Sequence, residues 1–374
     1  MKRLVWILVL LMAASPAWAD KKVTVQQLKD LLNSMQQSNK TDAEVAAQLK
    51  EIELNEELTG RAANSLKSYL PGPLAGVQVE ILKDQSAFFA PPATDLPATP
   101  APDAAAQQAM LAKAADFAAK TYAQNPHLSV TKTTLRFEDY VRATSSIGLR
   151  TNTLLGPIQL VDKQVDPVET DKGVEQAAVS RAKTKWGSNG EISEGEPGTN
   201  LGAIILEVSS SGKIGWLRWQ LIDGRQTAVF SFAVEKEKSH YDVSYCCFPN
   251  TTTATRAAGP SVMLTVGAIQ SVTTWEPYEK VAGYHGELFI NPDTGLVVRV
   301  ITRAEMKPTD FVLREDRRID YGPVAVAGKQ YMLPRVSITA MDAVPNADNN
   351  TDTRTIRHTL FYVSYQNYKL AGAL

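Results

Sequence analysis

Apolar positions along the start of the chain recur at helical spacing. Val25, Leu28, Leu32 and Met35 fall on one stripe of a helix. Asn39-Lys40 interrupts it. Thr41 and Glu44 then have the capping-box form, in which two side chains satisfy backbone donors at a helix start. Val45, Leu49 and Ile52 continue an apolar stripe on this second helix, and Gly60 suits its end. A short third helix is predicted from Arg61 to Tyr69, stopped by Pro71-Gly72-Pro73. Residues 20–89 therefore read as a helical hairpin or small bundle. Its acidic face around Glu51, Glu53, Glu56 and Glu57 reads as solvated.

Residues 90–102, APPATDLPATPAP, have few large apolar side chains and read as an extended, semi-rigid linker. Asp103 can cap the helix that follows, whose buried stripe is Met110, Ala114, Phe117 and Thr121, and Asn125-Pro126 ends it. From Leu128 the period changes to two. Residues 150–200 carry a weaker pattern, with a helix predicted near Val174 to Lys185. Clear strands come next. Gly215 to Ile222 and Thr227 to Glu235 flank Asp223-Gly224, a strong hairpin signal. Tyr241, Val243 and Tyr245 alternate with polar residues. Leu288 to Ile290 and Leu296 to Ile301 flank the turn residues 291–295, and Arg318 to Val324 can pair with Tyr331 to Met341 across Ala327-Gly328-Lys329. Thr355 to Tyr368 closes the chain. Hairpins with one apolar side must bury that side. The expected fold class is α+β: an N-terminal helical region, then over residues 103–374 a strongly curved antiparallel sheet, a half-barrel, capped by the Ala-rich helix. The stretches 248–259 and 345–352 read as exposed loops.

The N-terminus has a different character. Lys2 and Arg3 precede an apolar run from Leu4 to Ala14, and Ala17-Trp18-Ala19 is a small-x-small cleavage site. That layout is a secretory signal peptide over residues 1–19, cut after Ala19, and the run is too short to span a bilayer. No later stretch is long enough to span one, so a soluble periplasmic or secreted protein is expected. The 374 residues are 44% hydrophobic and 21% charged, with a formal net charge of -1, which excludes wholly disordered and coiled-coil classes and argues against a nucleic-acid partner. Cys246 and Cys247 are adjacent; they read as two strand residues facing opposite sides, a vicinal disulfide being the strained alternative.

Catalytic and cofactor signatures are missing. His127, His240, His285 and His358 have no metal-ligand spacing, and no phosphate loop, dinucleotide fingerprint or nucleophile elbow occurs, so no cofactor and no metal is expected. Residues 348–352 imitate the start of a calcium loop, but Thr353 stands where the turn glycine belongs. Glu315-Asp316, Asp320 and Asp342 read as a solvated charged face. The aromatics are the remaining lead. Trp216, Trp219, Phe230, Phe232, Tyr241 and Tyr245 crowd into consecutive strands, either as packed core or as the lining of a cavity for one apolar ligand. On the cavity reading the lining is Trp219, Phe230, Phe232, Tyr241, Val243, Tyr245, Ile290, Val298 and Ile338.

Two resemblances add to this. The segments TDAEVAAQLKEIELNEELTGR and DQSAFFAPPATDLP, with Thr134 to Asp139, resemble a family of uncharacterised exported bacterial proteins that carries no known activity. Separately, GYHGELFINPDTGLVVRVITRAE followed by RRIDYGPVAVAGKQYMLPRVSITA is similar to the hairpin rhythm of LolA/LppX-like periplasmic proteins. That second resemblance implies a curved antiparallel sheet capped by helices, and several such proteins carry lipids or lipoproteins. The expected function is accordingly an exported carrier of an apolar ligand, a lipid or acyl chain. The alternative is an envelope interaction protein that docks a partner through the helices of residues 20–70. A hydrolase is a third reading without positive support.

Overall fold

The computed structural model describes residues 22–120, 124–140, 155–171, 174–176, 201–211, 213–249, 275–343 and 356–372. Residues 1–21, Thr121, the stretches 250–259 and 345–352 and the side chains of Cys246 and Cys247 lie outside the described residues, so the expectations that fall on them do as well. The chain divides after Pro92 into two compact units.

Among its described residues the first unit has four short α-helices, α1 (Val25–Gln37), α2 (Asp42–Lys50), α3 (Gly60–Leu66) and α4 (Pro73–Gln85). Leu28, Leu32 and Met35 of α1 pack with Val45 and Leu49 of α2 and with Leu66, Val79 and Leu82. Capping boxes open α1 through Thr24 and Gln27, and α2 through Thr41 and Glu44. The Thr41 donors, with Lys40 beside them, lower the Glu44 carboxyl to about 2. Three local expectations need correction. Helix α2 stops at Lys50, so Ile52 lies beyond it. Two short strands, β1 (Lys22–Val23) and β2 (Glu53–Leu54), instead pair in parallel. Gly60 opens α3, with Thr59 as N-cap, and does not close α2. The acidic run is only partly solvated, because Glu57 is buried and the Glu56 carboxylate accepts from the Val25 N–H at 2.6 Å. Pro73 does more than end a helix: it occupies the first turn of α4, where its missing N–H costs nothing. Gly72 has no side chain to cap that helix, so Asp42 does, accepting from Leu74 and Ala75 N–H at 2.9 Å each.

The second unit is built on an open antiparallel sheet of ten strands. In chain order the strands are β3 (Leu128–Tyr140), β4 (Leu155–Asp171), β5 (Val174–Gln176), β6 (Ile214–Ile222), β7 (Arg225–Val234), β8 (Tyr241–Pro249), β9 (Trp275–Ala282), β10 (Tyr284–Ile290), β11 (Val297–Ala304), β12 (Val312–Val326), β13 (Lys329–Ala343) and β14 (Arg357–Leu370). The spatial order is β5-β4-β3-β14-β13-β12-β11-β10-β7-β6, and among the described residues β8 pairs only with β9, in a separate two-stranded sheet. Asp223-Gly224 and Ala327-Gly328 form two-residue hairpin loops with positive φ at both positions, the turn geometry that matches strand twist. Gly286 marks a close approach: a Cβ there would lie 1.8 Å from the Ile301 carbonyl oxygen.

Helices α5 (Ala104–Lys120) and α6 (Leu201–Ser211) cover part of one sheet face. Asp103 caps α5, accepting from the Ala106 N–H at 2.8 Å. Met110, Ala114 and Phe117 of α5 and Leu201, Ile204, Ile205 and Val208 of α6 join one cluster with Phe230, Phe232, Leu288, Ile290 and Val300. The predicted helix near residue 174 begins as strand β5 over Val174–Gln176. The Pro/Ala-rich stretch packs at Trp219, whose indole N–H donates to the Pro100 carbonyl at 2.8 Å. Among the described residues no helix is long and apolar enough to cross a membrane.

Candidate ligand-binding site

Alternate residues of a strand share a face, and antiparallel register places them directly opposite one another. The registers therefore build rows across the helix-bearing face. One row runs Thr302, Arg317, Thr339, Phe361, Arg136, Asp162. The next runs Val300, Ile319, Ser337, Val363, Thr134, Gln164. A third holds Glu315, Met341, Thr359 and Glu138. The face thus has two halves. Over β7, β10 and β11 it is apolar and packed against α5 and α6. Over β12, β13, β14 and β3 it is a belt of hydroxyls and charges, and that belt is buried: Glu315 and Ser337 are 0% exposed, Thr339 1% and Lys132 1%.

The roof of the belt is the β8–β9 ribbon. Its strands continue the β7–β10 pair, since Val234 is paired with Tyr284 and, beyond a bend, Tyr241 with Ala282. The bend consists of residues 235–240 on one side and Gly283 alone on the other. There the Ser239 hydroxyl donates to the Ala282 carbonyl at 2.6 Å, and the Glu305 N–H donates to the Gly283 carbonyl at 2.8 Å. Side chains seat the ribbon on the sheet. The Thr302 hydroxyl donates to the Tyr241 oxygen at 3.1 Å, and the Tyr241 hydroxyl donates to Glu315 at 3.3 Å. Arg317 donates to the same Glu315 oxygen at 2.7 Å, with its guanidinium carbon 5.4 Å from the centre of the Tyr241 ring. The Tyr241 ring stacks on Tyr284 at 5.1 Å, and the Tyr284 hydroxyl reaches Glu207 of α6 at 2.7 Å. Further along, Arg357 donates to the Tyr245 oxygen at 3.4 Å.

Burial dominates the electrostatics. It raises the Tyr241 and Tyr284 phenols well above their ordinary value and the Tyr245 phenol above it, which keeps them neutral at physiological pH. It also raises the Glu315 carboxyl, against the opposing pull of Arg317 and Tyr241. Several buried polar atoms in this belt find no hydrogen-bond partner: Ser337 Oγ, Thr339 Oγ1, Thr134 Oγ1 and the second Glu315 oxygen. Buried polar groups are normally satisfied, so these atoms are positions at which a further hydrogen-bond partner would complete the bonding.

The residues singled out from sequence divide three ways. Phe230, Phe232, Tyr241, Val243, Tyr245 and Ile290 join the buried cluster, and Trp219 packs at its margin. Tyr241, Val243 and Tyr245 belong to the roof, not to a strand beside β7. Val298 sits at a register shift and Ile338 on the alternate parity to Ser337 and Thr339; neither belongs to that cluster. The carboxylates are a correction. Glu315 and Asp316 are buried, and Asp320 lies between Arg299 and Arg318, whose guanidiniums outweigh the burial that would raise it and hold it below the usual carboxylate range. Each histidine sits beside a carboxylate: His127 by Glu169, His240 by Glu207, His285 by Glu305 and His358 by Asp342. Sequence reasoning misses the hydroxyl belt. Its signal is the period-two run Ser337-Ile338-Thr339 with Lys132, Thr134 and Arg136.

Comparison of the chain with protein-family models, with curated proteins and with solved structures gives no match.

Proposed function

We propose that the second unit is a binding module that carries an amphipathic molecule, an acyl-chain lipid being the representative, in an exported compartment. The β8–β9 ribbon lifts to admit the ligand and closes over it. The observation that supports this most is the buried belt on the sheet face to which the ribbon is anchored, in which Ser337, Thr339 and Thr134 each bring an unpartnered hydroxyl into an interior that an ordinary core would fill with apolar groups. The aromatic half of the face beside it suits the apolar part of such a ligand. Among the described residues the ribbon forms no backbone ladder with the ten-stranded sheet, and the hydrogen bonds of Tyr241 and Tyr245 that seat it there are made by side chains. The leader pattern at residues 1–19 supports the compartment.

Native mass spectrometry of protein purified without detergent, followed by organic extraction, tests the reading. A retained lipid, and uptake of amphiphiles by the extracted protein, is the expected result. A reproducibly empty protein that takes up no amphiphile of any charge type refutes it. The docking alternative has less behind it: the exposed Leu74 and Val77 on α4 are an apolar patch, and nothing beside them selects a partner.

A further inference from the structure

Strand β6 ends the sheet, with β7 on one side and, among the described residues, no strand on the other. Its two tryptophans stand three residues apart, a spacing that sends side chains of a regular strand to opposite faces. A bulge at Leu217 changes that. Trp216 is paired with Phe230 and Trp219 with Ala228, alternate residues of β7, so both indoles share one face. Their rings meet edge to face at 4.8 Å, and Trp216 meets Phe230 in the same way at 5.5 Å. The bulge thus builds an aromatic corner at the edge of the sheet.

The chain seats one of its own segments there. A 3-10 turn at Ala93–Asp95 packs at β6, and residues 96–102, Leu-Pro-Ala-Thr-Pro-Ala-Pro, follow it without regular structure. The Trp219 indole N–H donates to the Pro100 carbonyl at 2.8 Å, and the Thr99 hydroxyl donates to Gln226 Oε1 of β7 at 3.4 Å. Pro97, Pro100 and Pro102 have no N–H, so this segment covers the edge without offering a full ladder to β6. An indole donor aimed at a carbonyl of a P-x-x-P chain, here Pro97 and Pro100, is the way aromatic grooves read proline-rich ligands, whose extended backbone is set in advance. Residues 98–101 are exposed, so little burial opposes their release.

We propose that the Trp216–Trp219 corner is a docking site for proline-rich segments. Residues 96–102 are its built-in occupant, and a proline-rich segment of another protein displaces them. The site is separate from the belt and does not depend on what the belt holds. A tethered occupant acts at an effective concentration of about a millimolar, so a free peptide meets a site that is largely filled.

Calorimetric titration of the intact mature protein with a synthetic peptide of residues 94–102 tests this. Pro97→Gly with Pro100→Gly loosens the tethered occupant and leaves the corner itself unaltered; Pro100→Gly alone gives the same comparison with one substitution. The peptide should bind the loosened protein at least about fivefold more tightly than the unaltered one. Adding Trp219→Phe, which removes the indole donor, should weaken that binding roughly fivefold with the urea midpoint unchanged. A peptide with alanine in place of Pro97 and Pro100 should bind more weakly by a similar factor, having lost its preset backbone. In nuclear magnetic resonance, the Trp219 indole N–H signal, assigned by its loss in Trp219→Phe, should move when the occupant is loosened and return when the peptide is added. A folded, loosened protein that takes up no peptide at about 5 mM, several times the tethered concentration, overturns the proposal. Equal binding of the alanine peptide, or an indole signal that never moves, does so too. A loosened protein that dimerises and takes no peptide replaces the proposal with exchange of the segment between copies.

Discussion

Replacing Arg317 by Met isolates the interaction that fixes the ribbon over the sheet. Glu315 is fully buried and Arg317 nearly so, and Arg317 holds Glu315 at 2.7 Å while lying against the Tyr241 ring. Removing the guanidinium leaves a buried carboxyl with Tyr241 as its remaining hydrogen-bond donor among the described residues. Breaking one side of a buried pair costs about 3–5 kcal/mol. Part of that loss can be recovered by protonation, since burial already pushes the Glu315 carboxyl above its ordinary 4.5 even with Arg317 present. In the variant the folded carboxyl binds its proton more tightly than the unfolded one, so stability falls as pH rises from the unfolded value through the folded one. The loss should be about 3 kcal/mol at pH 8 and at least about 1 kcal/mol smaller at pH 5, a tenfold change in proton affinity being worth about 1.4 kcal/mol. Tryptophan fluorescence during urea unfolding is the assay. In protein expressed from residue 20 onward the tryptophans are Trp186, Trp216, Trp219 and Trp275, so the signal reports the second unit alone. The double variant Glu315→Leu with Arg317→Met should regain more than half of the loss. A single-variant loss below about 1 kcal/mol at pH 8, or one equal at both pH values, refutes the reasoning.

Other parts of the fold give independent tests. Gly286→Ala places a methyl group against the Ile301 carbonyl and should cost at least about 2 kcal/mol of second-unit stability; an unchanged urea midpoint would contradict the register. Asp42→Ala removes the remote cap of α4 and should lower the helical unit's stability by about 1 kcal/mol, read by far-ultraviolet circular dichroism. His358 is raised above its ordinary 6.5, first by its hydrogen bond to Asp342 and then by charge attraction to that group and to Asp139. Its contribution to stability is therefore complete below pH about 6.5 and fades as pH climbs through the folded value; His358→Gln should flatten that window, and an identical pH profile would show the pair to be inert.

The local signals in the sequence are strong where one turn or one period decides the structure. Asp223-Gly224 and Ala327-Gly328 demand positive φ at adjacent positions, and both hairpins form. The stripe Met110, Ala114, Phe117 is periodic over enough turns to define α5. Helix α6 has a readable pattern as well, since Leu201, Ile204, Ile205 and Val208 stand at i, i+3, i+4 and i+7; its β-branched content masks it. What is not legible is long-range. Ser337 and Thr339 alternate with apolar neighbours, and polar residues at period two ordinarily face water. Their burial is a tertiary effect: elements packed on that face enclose it, among them the β8–β9 ribbon, which reaches the neighbouring Glu315, Arg317 and Arg357. The same effect explains Ile338: choosing its parity by hydrophobicity puts it on the wrong side of a strand whose inner face is polar. Glu315-Asp316 reads as solvated because the arginine partners differ by strand position and side. Arg317 on the same face pairs with Glu315, and Arg314 pairs with Asp316.

The central claim is that the β8–β9 ribbon is a separable cover over a seat for a ligand. Amide hydrogen exchange resolved along the chain tests it most directly. The amides of Tyr241 to Tyr245 and of Tyr278 to Ala282 should exchange faster than those of the β12–β13 core, and an amphiphile that the protein takes up should slow them selectively. Exchange of the ribbon in step with β12–β13, unaltered by any amphiphile, would show that it is a fixed wall of the core and not a lid.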